Sequence, residues 1–212
     1  MSEYQYMVSL FNKGIGQERN DSGTPKVVAK ELRISLIAEE AKETADAILK
    51  KDTAGFVDGL CDLLYVVYGA ADVFGVQLKE SEVRIDMAIA SDAPAGWDII
   101  QDNLDGLQIN VDYVTTAIAQ GDVELFVRWA NDLVQGCWMA AADGLGIDLR
   151  PFFREVHRAN MQKLTGPKRA DGKQLKPEGW QPPRIQEMLN DLEQRNLGFG
   201  RNEKTDNLGR KL

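Results

Sequence analysis

The sequence predicts an all-α protein with a four-helix-bundle core made of two tandem helical hairpins. Three observations predict it: apolar residues recur at threes and fours over long stretches without Gly or Pro, strand-like alternation is weak throughout, and one hairpin-sized segment returns 70 residues later.

From Lys30 to Lys50 the residues Leu32, Leu36, Ile37, Ala41, Thr44, Ala45, Ile48 and Leu49 form a helical stripe. The stretch KKDTAG turns the chain, and Phe56 to Val76 reads as a second helix ended near Gly75, which gives an antiparallel hairpin. The repeat aligns AILKKDTAGFVDGLCDLLYVVYGAA, starting at Ala47, with AIAQGDVELFVRWANDLVQGCWMAA, starting at Ala117, without a gap. The shared positions include the loop residues Asp52 and Asp122 and the pairs Phe56-Val57 and Phe126-Val127. Each copy is one hairpin that cannot bury its apolar face alone, so an internal duplication predicts a bundle within one chain. The acids do not survive the shift: Glu39, Glu40, Glu43 and Asp58 face Ile109, Asn110, Tyr113 and Arg128, so the second hairpin reads as a degenerate, structural copy.

From Asp148 the pattern changes. Asp148 is the expected N-cap of a short amphipathic helix with Phe152, Phe153, Val156 and Met161 inward. The following TGPKRADGKQLKPEGWQPPRI reads as an ordered loop anchored by Leu175, Trp180 and Ile185. The expected organisation is therefore residues 1–147 as the tandem-hairpin bundle, 148–194 as a basic helix and closing loop of the same domain, and 195–212 as a mobile tail.

Composition narrows the function classes. Net charge is −8, which argues against general binding to nucleic acid or anionic membrane. Yet eight basic side chains stand against three acidic ones between Arg150 and Trp180, so an acidic body carries one basic segment. That asymmetry suits a metal site whose anionic substrate is gripped by the basic part. No stretch reads as approaching the ~20 apolar residues of a membrane span, and the first residues lack the pattern of a secretory signal, so the expected location is the cytoplasm. Cys61 and Cys137 lie in apolar surroundings without C-x-x-C spacing and read as packing residues.

The chemistry-bearing feature is acidic. Glu39 and Glu43 are one helical turn apart, Glu40 neighbours Glu43, and on the second helix Asp58 and Asp62 are again one turn apart. Asp62 stands within DGLCDLLYVVYGAA, an almost wholly apolar run, where an unpartnered carboxylate costs several kcal/mol. Pairing the two helices brings four or five carboxylates together, and oxygen-only ligands favour a hard cation, Mg²⁺ or Mn²⁺. A di-iron bundle uses E-x-x-H pairs, which the single His157 cannot supply; P-loop, Rossmann, Ser-His-Asp and HExxH patterns are absent.

With LRISLIAEEAKETADAI, the D-L-L-Y-V run and EVHRANMQKLTGPKRADGKQLKPEGW on the page, the chain resembles the all-α nucleoside triphosphate pyrophosphohydrolases, the MazG-like group with phosphoribosyl-ATP pyrophosphohydrolase and the dimeric dUTPases. The resemblance spans about residues 4–76 and 148–185. It implies a Mg²⁺-dependent cleavage of a nucleoside triphosphate to monophosphate and pyrophosphate, with metal ligands Glu40, Glu43, Asp58 and Asp62 and a catalytic base at Glu39 or Glu40. Asp58 enters because Gly59 stands where the family pattern has a Glu, three residues before Asp62. For the substrate the resemblance implies Lys163, Lys168 and Lys176 on the phosphates, Asn160 on sugar or base, and Trp180 closing over the nucleotide. A deoxynucleotide such as dGTP is the expected substrate, in nucleotide-pool control, and a homodimer or higher homo-oligomer the expected assembly. The competing expectation is a non-catalytic helical protein that senses nucleotides or serves as a scaffold.

Overall fold

A computed structural model describes residues 1–17, 27–79 and 96–199. Within these it is all-α and holds no strand, only an isolated bridge between Lys168 and Gln174. The helices are α1 (Glu3–Gly14), α2 (Val27–Lys50), α3 (Thr53–Val73), α4 (Gly96–Asp102), α5 (Leu104–Gln120), α6 (Val123–Leu145), α7 (Leu149–Met161) and α8 (Ile185–Phe199), with one 3₁₀ turn at Gln162–Thr165.

The predicted hairpin is α2 and α3. Its register is legible from the glycines of α3: a Cβ on Gly59 would lie 2.7 Å from Thr44 Oγ1 and 3.1 Å from Thr44 Cα, and one on Gly69 would lie 2.8 Å from Arg33 Nη1. The helices therefore approach closely along one antiparallel seam on which Thr44 opposes Gly59 and Arg33 opposes Gly69. Helix α3 begins three residues before the expected Phe56, because Asp52 caps it: the Asp52 side chain accepts from Gly55 N at 3.0 Å. Leu49, expected on the inner stripe, lies outside and is 63% exposed.

The hairpin of α5 and α6 repeats the turn of α2 and α3 bond for bond. Asp52 N donates to Ala47 O and Asp122 N to Ala117 O, both at 3.0 Å, while Lys51 N donates to Ile48 O and Gly121 N to Ile118 O, both at 3.1 Å. These are the two bonds of a Schellman stop, and an Asp N-cap follows each; Asp122 accepts from Leu125 N at 3.0 Å. The left-handed position is glycine in one turn (Gly121, φ 73°) and Lys51 (φ 54°) in the other.

The two hairpins meet at a ring cluster. Trp138 of α6 donates its Nε1–H to the Tyr68 hydroxyl of α3 at 3.2 Å, Tyr4 of α1 stands 4.9 Å from Trp138 between ring centroids, and Phe153 of α7 lies 5.2 Å from Tyr4 and 5.9 Å from Tyr68. Trp138, Tyr68, Phe153, Phe56 and Phe126 are all fully buried. Helix α3 forms the middle of this core. By length and a mean hydropathy of 1.3 it is apolar enough to cross a membrane, contrary to the sequence expectation, and its apolar content is explained by the helices that pack around it on several sides.

Helix α7 starts at the expected cap, with Asp148 Oδ1 accepting from Arg150 N at 2.9 Å. Phe152, Phe153 and Val156 point inward as expected, and Met161 is half-buried. The expected tail begins too early: α8 runs on to Phe199, since Ile185, Met188 and Leu189 give it an inner stripe that docks on the core. Residues 200–212 of that expected tail lie outside the described residues.

Candidate active site

Arg33, Leu36, Glu40 and Glu43 recur at threes and fours and therefore share one face of α2. That face, together with Asp62, Tyr65, Val66 and Gly69 of α3, Val8, Phe11 and Asn12 of α1, and the segment from Asn160 to Lys176, lines a cleft of about 480 Å³. Glu39 lies at its rim, tied to Lys173 by an ion pair of 2.7 Å.

The acids repel one another. Glu40 is pushed up to about 8 by burial and then by Asp62 and Glu43, with Lys173 offsetting part of the rise. Asp58 is pushed up to about 7 by burial and by Asp62 and Glu43, opposed by Lys176 and Lys163. Burial also raises Asp62, Glu43 adds to the rise, and Lys163, Lys176 and Lys173 counter it. The Oδ1 of Asp58 is buried without a hydrogen-bond partner. Lys163, drawn in among them, is lowered by burial and held up by Asp62. Three lysines thus answer the question posed by a carboxylate inside an apolar run, and they set positive charge beside the acids of the same cleft.

The donors are all oxygen and so suit a hard divalent cation. As they stand, however, no three His, Cys, Asp or Glu side chains among the described residues are grouped tightly enough to hold an ion. The expected convergence is of charge and not of coordination geometry.

The basic segment divides. Asn160, Lys163 and Lys176 line the cleft; Lys168 turns away and donates to Ile15 O at the end of α1. Trp180 does not close over the cleft. Its Nε1–H donates to Ala159 O at 2.8 Å, and its ring lies under Lys176, 4.0 Å from Nζ, and 5.8 Å from Lys163 Nζ, so it holds the two lysines in place. The Gly59 departure has a steric cause, since the contact with Thr44 leaves no room there for any side chain, and Asp58 presents its carboxylate to the acidic cluster instead.

Sequence reasoning missed several residues. Lys173 was counted as a basic residue but its partner Glu39 was not foreseen. Helix α1, with its Val8, Phe11 and Asn12 wall, went unread, although Ser2 and the spacing of Tyr4, Val8 and Phe11 signal a capped helix. Arg33 is buried and lines the cleft, and burial lowers it to about 10 against the opposing pull of Asp72. In the second hairpin Tyr113 and Arg128, which match Glu43 and Asp58, pack on Trp129, which matches Gly59: the Tyr113 and Trp129 centroids are 4.3 Å apart and the Arg128 guanidinium is 5.1 Å from the Trp129 ring centroid.

Comparison with known proteins bears on the first hairpin. Residues 5–88 match the family of phosphoribosyl-ATP pyrophosphohydrolase. The match agrees with the resemblance of the first hairpin to the MazG-like nucleoside triphosphate pyrophosphohydrolases. The match takes in nearly all of α1 and the whole of α2 and α3, and with them every acid that lines the cleft; the basic loop and the second hairpin lie beyond it. An uncharacterized protein of Acanthamoeba polyphaga mimivirus is 25% identical over 174 residues, 74% of this chain and 69% of its own. No solved structure matches.

Proposed function

We propose that this chain is a Mg²⁺-dependent nucleoside triphosphate pyrophosphohydrolase that converts a deoxynucleotide such as dGTP to the monophosphate and pyrophosphate. The observation that carries the reading is the mutually repelling set Glu40, Glu43 and Asp62, with Glu40 and Asp62 half-buried, in one cleft with Lys163 and Lys176, and Asp58 repelled by Asp62 from beside it. Acids so placed are stabilised by a divalent cation, and cations so placed are stabilised by a polyphosphate. Glu40, Glu43, Asp58 and Asp62 would hold the ion; the orphaned Asp58 Oδ1 is one oxygen in need of a cation. When bound, the ion neutralises phosphate charge and makes water more acidic.

The chain's own residues supply the rest. Lys163 and Lys176 hold the phosphate oxygens, and Asn160, buried at the wall, orients the sugar or base. Glu40 accepts the proton of the attacking water, with Glu39 as the alternative base. Water adds to phosphorus as the bridge between the α- and β-phosphates breaks, and pyrophosphate leaves. We place this site in the first hairpin, with the second as structural support, and expect a homodimer or larger assembly. One observation favours the competing reading of a nucleotide sensor: Lys173 neutralises Glu39, one of the two candidate bases.

A panel of NTPs and dNTPs with Mg²⁺ or EDTA, resolved by chromatography, tests the proposal. Mg²⁺-dependent formation of monophosphate and pyrophosphate supports it, and loss of that activity in a folded Glu43→Ala variant ties it to this cleft. Absence of turnover across the panel in folded protein replaces it with the sensor.

A further inference from the structure

Arg33 is a buried cation with unfinished bonding. It is 4% exposed, lines the cleft, and its Nε has no hydrogen-bond partner. Its Nη2 donates to Gln17 Oε1, its Nη1 lies against Gly69, and no described carboxylate forms an ion pair with it. Asp72 acts on it electrostatically while accepting from Asn12 Nδ2 at 3.0 Å. A guanidinium out of water whose residue lines a cleft and whose buried Nε–H is unused is short of one acceptor.

The position of Arg33 says which part of a ligand meets it. It stands two turns before Glu40 on the same face of α2, about 10 Å along the axis, and so at the end of the cleft away from Glu40, Glu43 and Asp62. The walls nearest it are apolar: Val8, Phe11, Ile15, Leu32, Leu36 and Val66 all line the cleft. With Asn12 and Gln17 as the polar groups beside them, these walls match a flat apolar ring with polar edges. Resting on the reading of this cleft as a nucleotide site, we propose that Arg33 is the base-reading residue and that the cleft selects 6-oxopurines, guanine or hypoxanthine.

The chemistry of the edges decides between bases. A guanidinium fork presents parallel donors, and O6 and N7 of guanine are adjacent acceptors. Adenine places the N6 amino donor beside N7, so one arm of the fork meets another donor. Thymine and uracil offer O4 flanked by carbon and an N–H. Cytosine presents its N4 amino donor at the edge remote from the sugar, with its acceptors N3 and O2 set back from that end.

The test is calorimetric binding of deoxynucleoside monophosphates to the full chain with Mg²⁺ present, which needs no turnover. The expected result is dGMP and dIMP bound at least about tenfold more tightly than dAMP, dCMP and dTMP, with 7-deaza-dGMP weakened by about tenfold for want of N7. Arg33→Gln, checked for folding by circular dichroism, should bring dGMP to the affinity of dAMP; the ligand series stands if that variant does not fold. Equal binding of dAMP or a pyrimidine, no effect of removing N7, or no binding of dGMP overturns the proposal. Selective binding without hydrolysis would remove the enzyme and keep the base reader; hydrolysis of every dNTP with equal kcat/KM would do the reverse.

Discussion

Lys173 Nζ stands 2.7 Å from Glu39 Oε1, so the C-terminal loop is fastened to the first acid of α2 across 134 residues of sequence. The lysine is well covered and the carboxylate half-covered, which makes the contact stronger than a rim pair. On the proposed function this lysine grips phosphate when substrate enters. Lys173→Ala should raise KM for the triphosphate by about tenfold while kcat changes little, because a uniform binding contact is lost. A drop in kcat with KM unchanged would instead assign Lys173 to the transition state.

Glu40 links function and stability with opposite signs. Its folded pKa of about 8 lies above the ordinary 4.5, so the group's contribution to stability is complete below pH 4.5 and is lost as pH rises through 8. Metal-free protein should therefore melt at lower temperature at pH 8 than at pH 5. Glu40→Gln should flatten that fall and raise Tm at pH 8 by roughly 2–4 °C per kcal/mol relieved. The same variant should lose about a hundredfold or more in turnover. Thermal melts at several pH values and the product assay read the two effects separately.

Glu155 shows the reverse linkage. Arg158, bonded through two nitrogens at 2.8 and 2.9 Å, and Arg184 hold this buried carboxyl down at about 2. The stability it confers is present above its ordinary 4.5 and is lost as pH falls toward 2. Because both arginines are substantially exposed, we expect Glu155→Gln to cost about 1–2 kcal/mol at pH 7. Urea unfolding should show that cost shrinking steadily below pH 4.

Gly59 tests the helix seam. In Gly59→Ala the added methyl meets Thr44 Oγ1 and Cα, and the α2–α3 pair must separate at a cost of about 1–3 kcal/mol. Gly136 in α6 is the control: nothing stands within 4 Å of a Cβ there, so Gly136→Ala should stabilise by about 0.4–1 kcal/mol. Chemical denaturation of the two variants compares them directly.

The hairpins and the acidic face of α2 were legible because both follow from spacing alone: a period near 3.6 places Glu40 and Glu43 together wherever the helix goes. The N-cap at Asp148 was legible because its signal is local. Trp180 was misread since only the loop path decides whether an indole covers a ligand or, as here, supports Lys176 and Lys163 from below. Arg33 escaped notice because a charged residue in an amphipathic helix reads as solvent-facing until Gly69 opposite it is known to leave room for a guanidinium. Leu49 failed in the other direction: its apolar side chain fits the stripe, but the helix ends one residue later and nothing across the turn covers it.

The ring cluster carries a consequence for how the chain is made. Its members come from positions 4, 68, 138 and 153, so the cluster cannot close on the ribosome until Phe153 has emerged. During that interval α3, the most apolar helix, is already synthesised with one flank uncovered, and assembly waits on contacts of long sequence separation. Translation speed between the two hairpins, and holdase capacity while the second is being made, thus set the yield of folded protein more than the stability of either hairpin does.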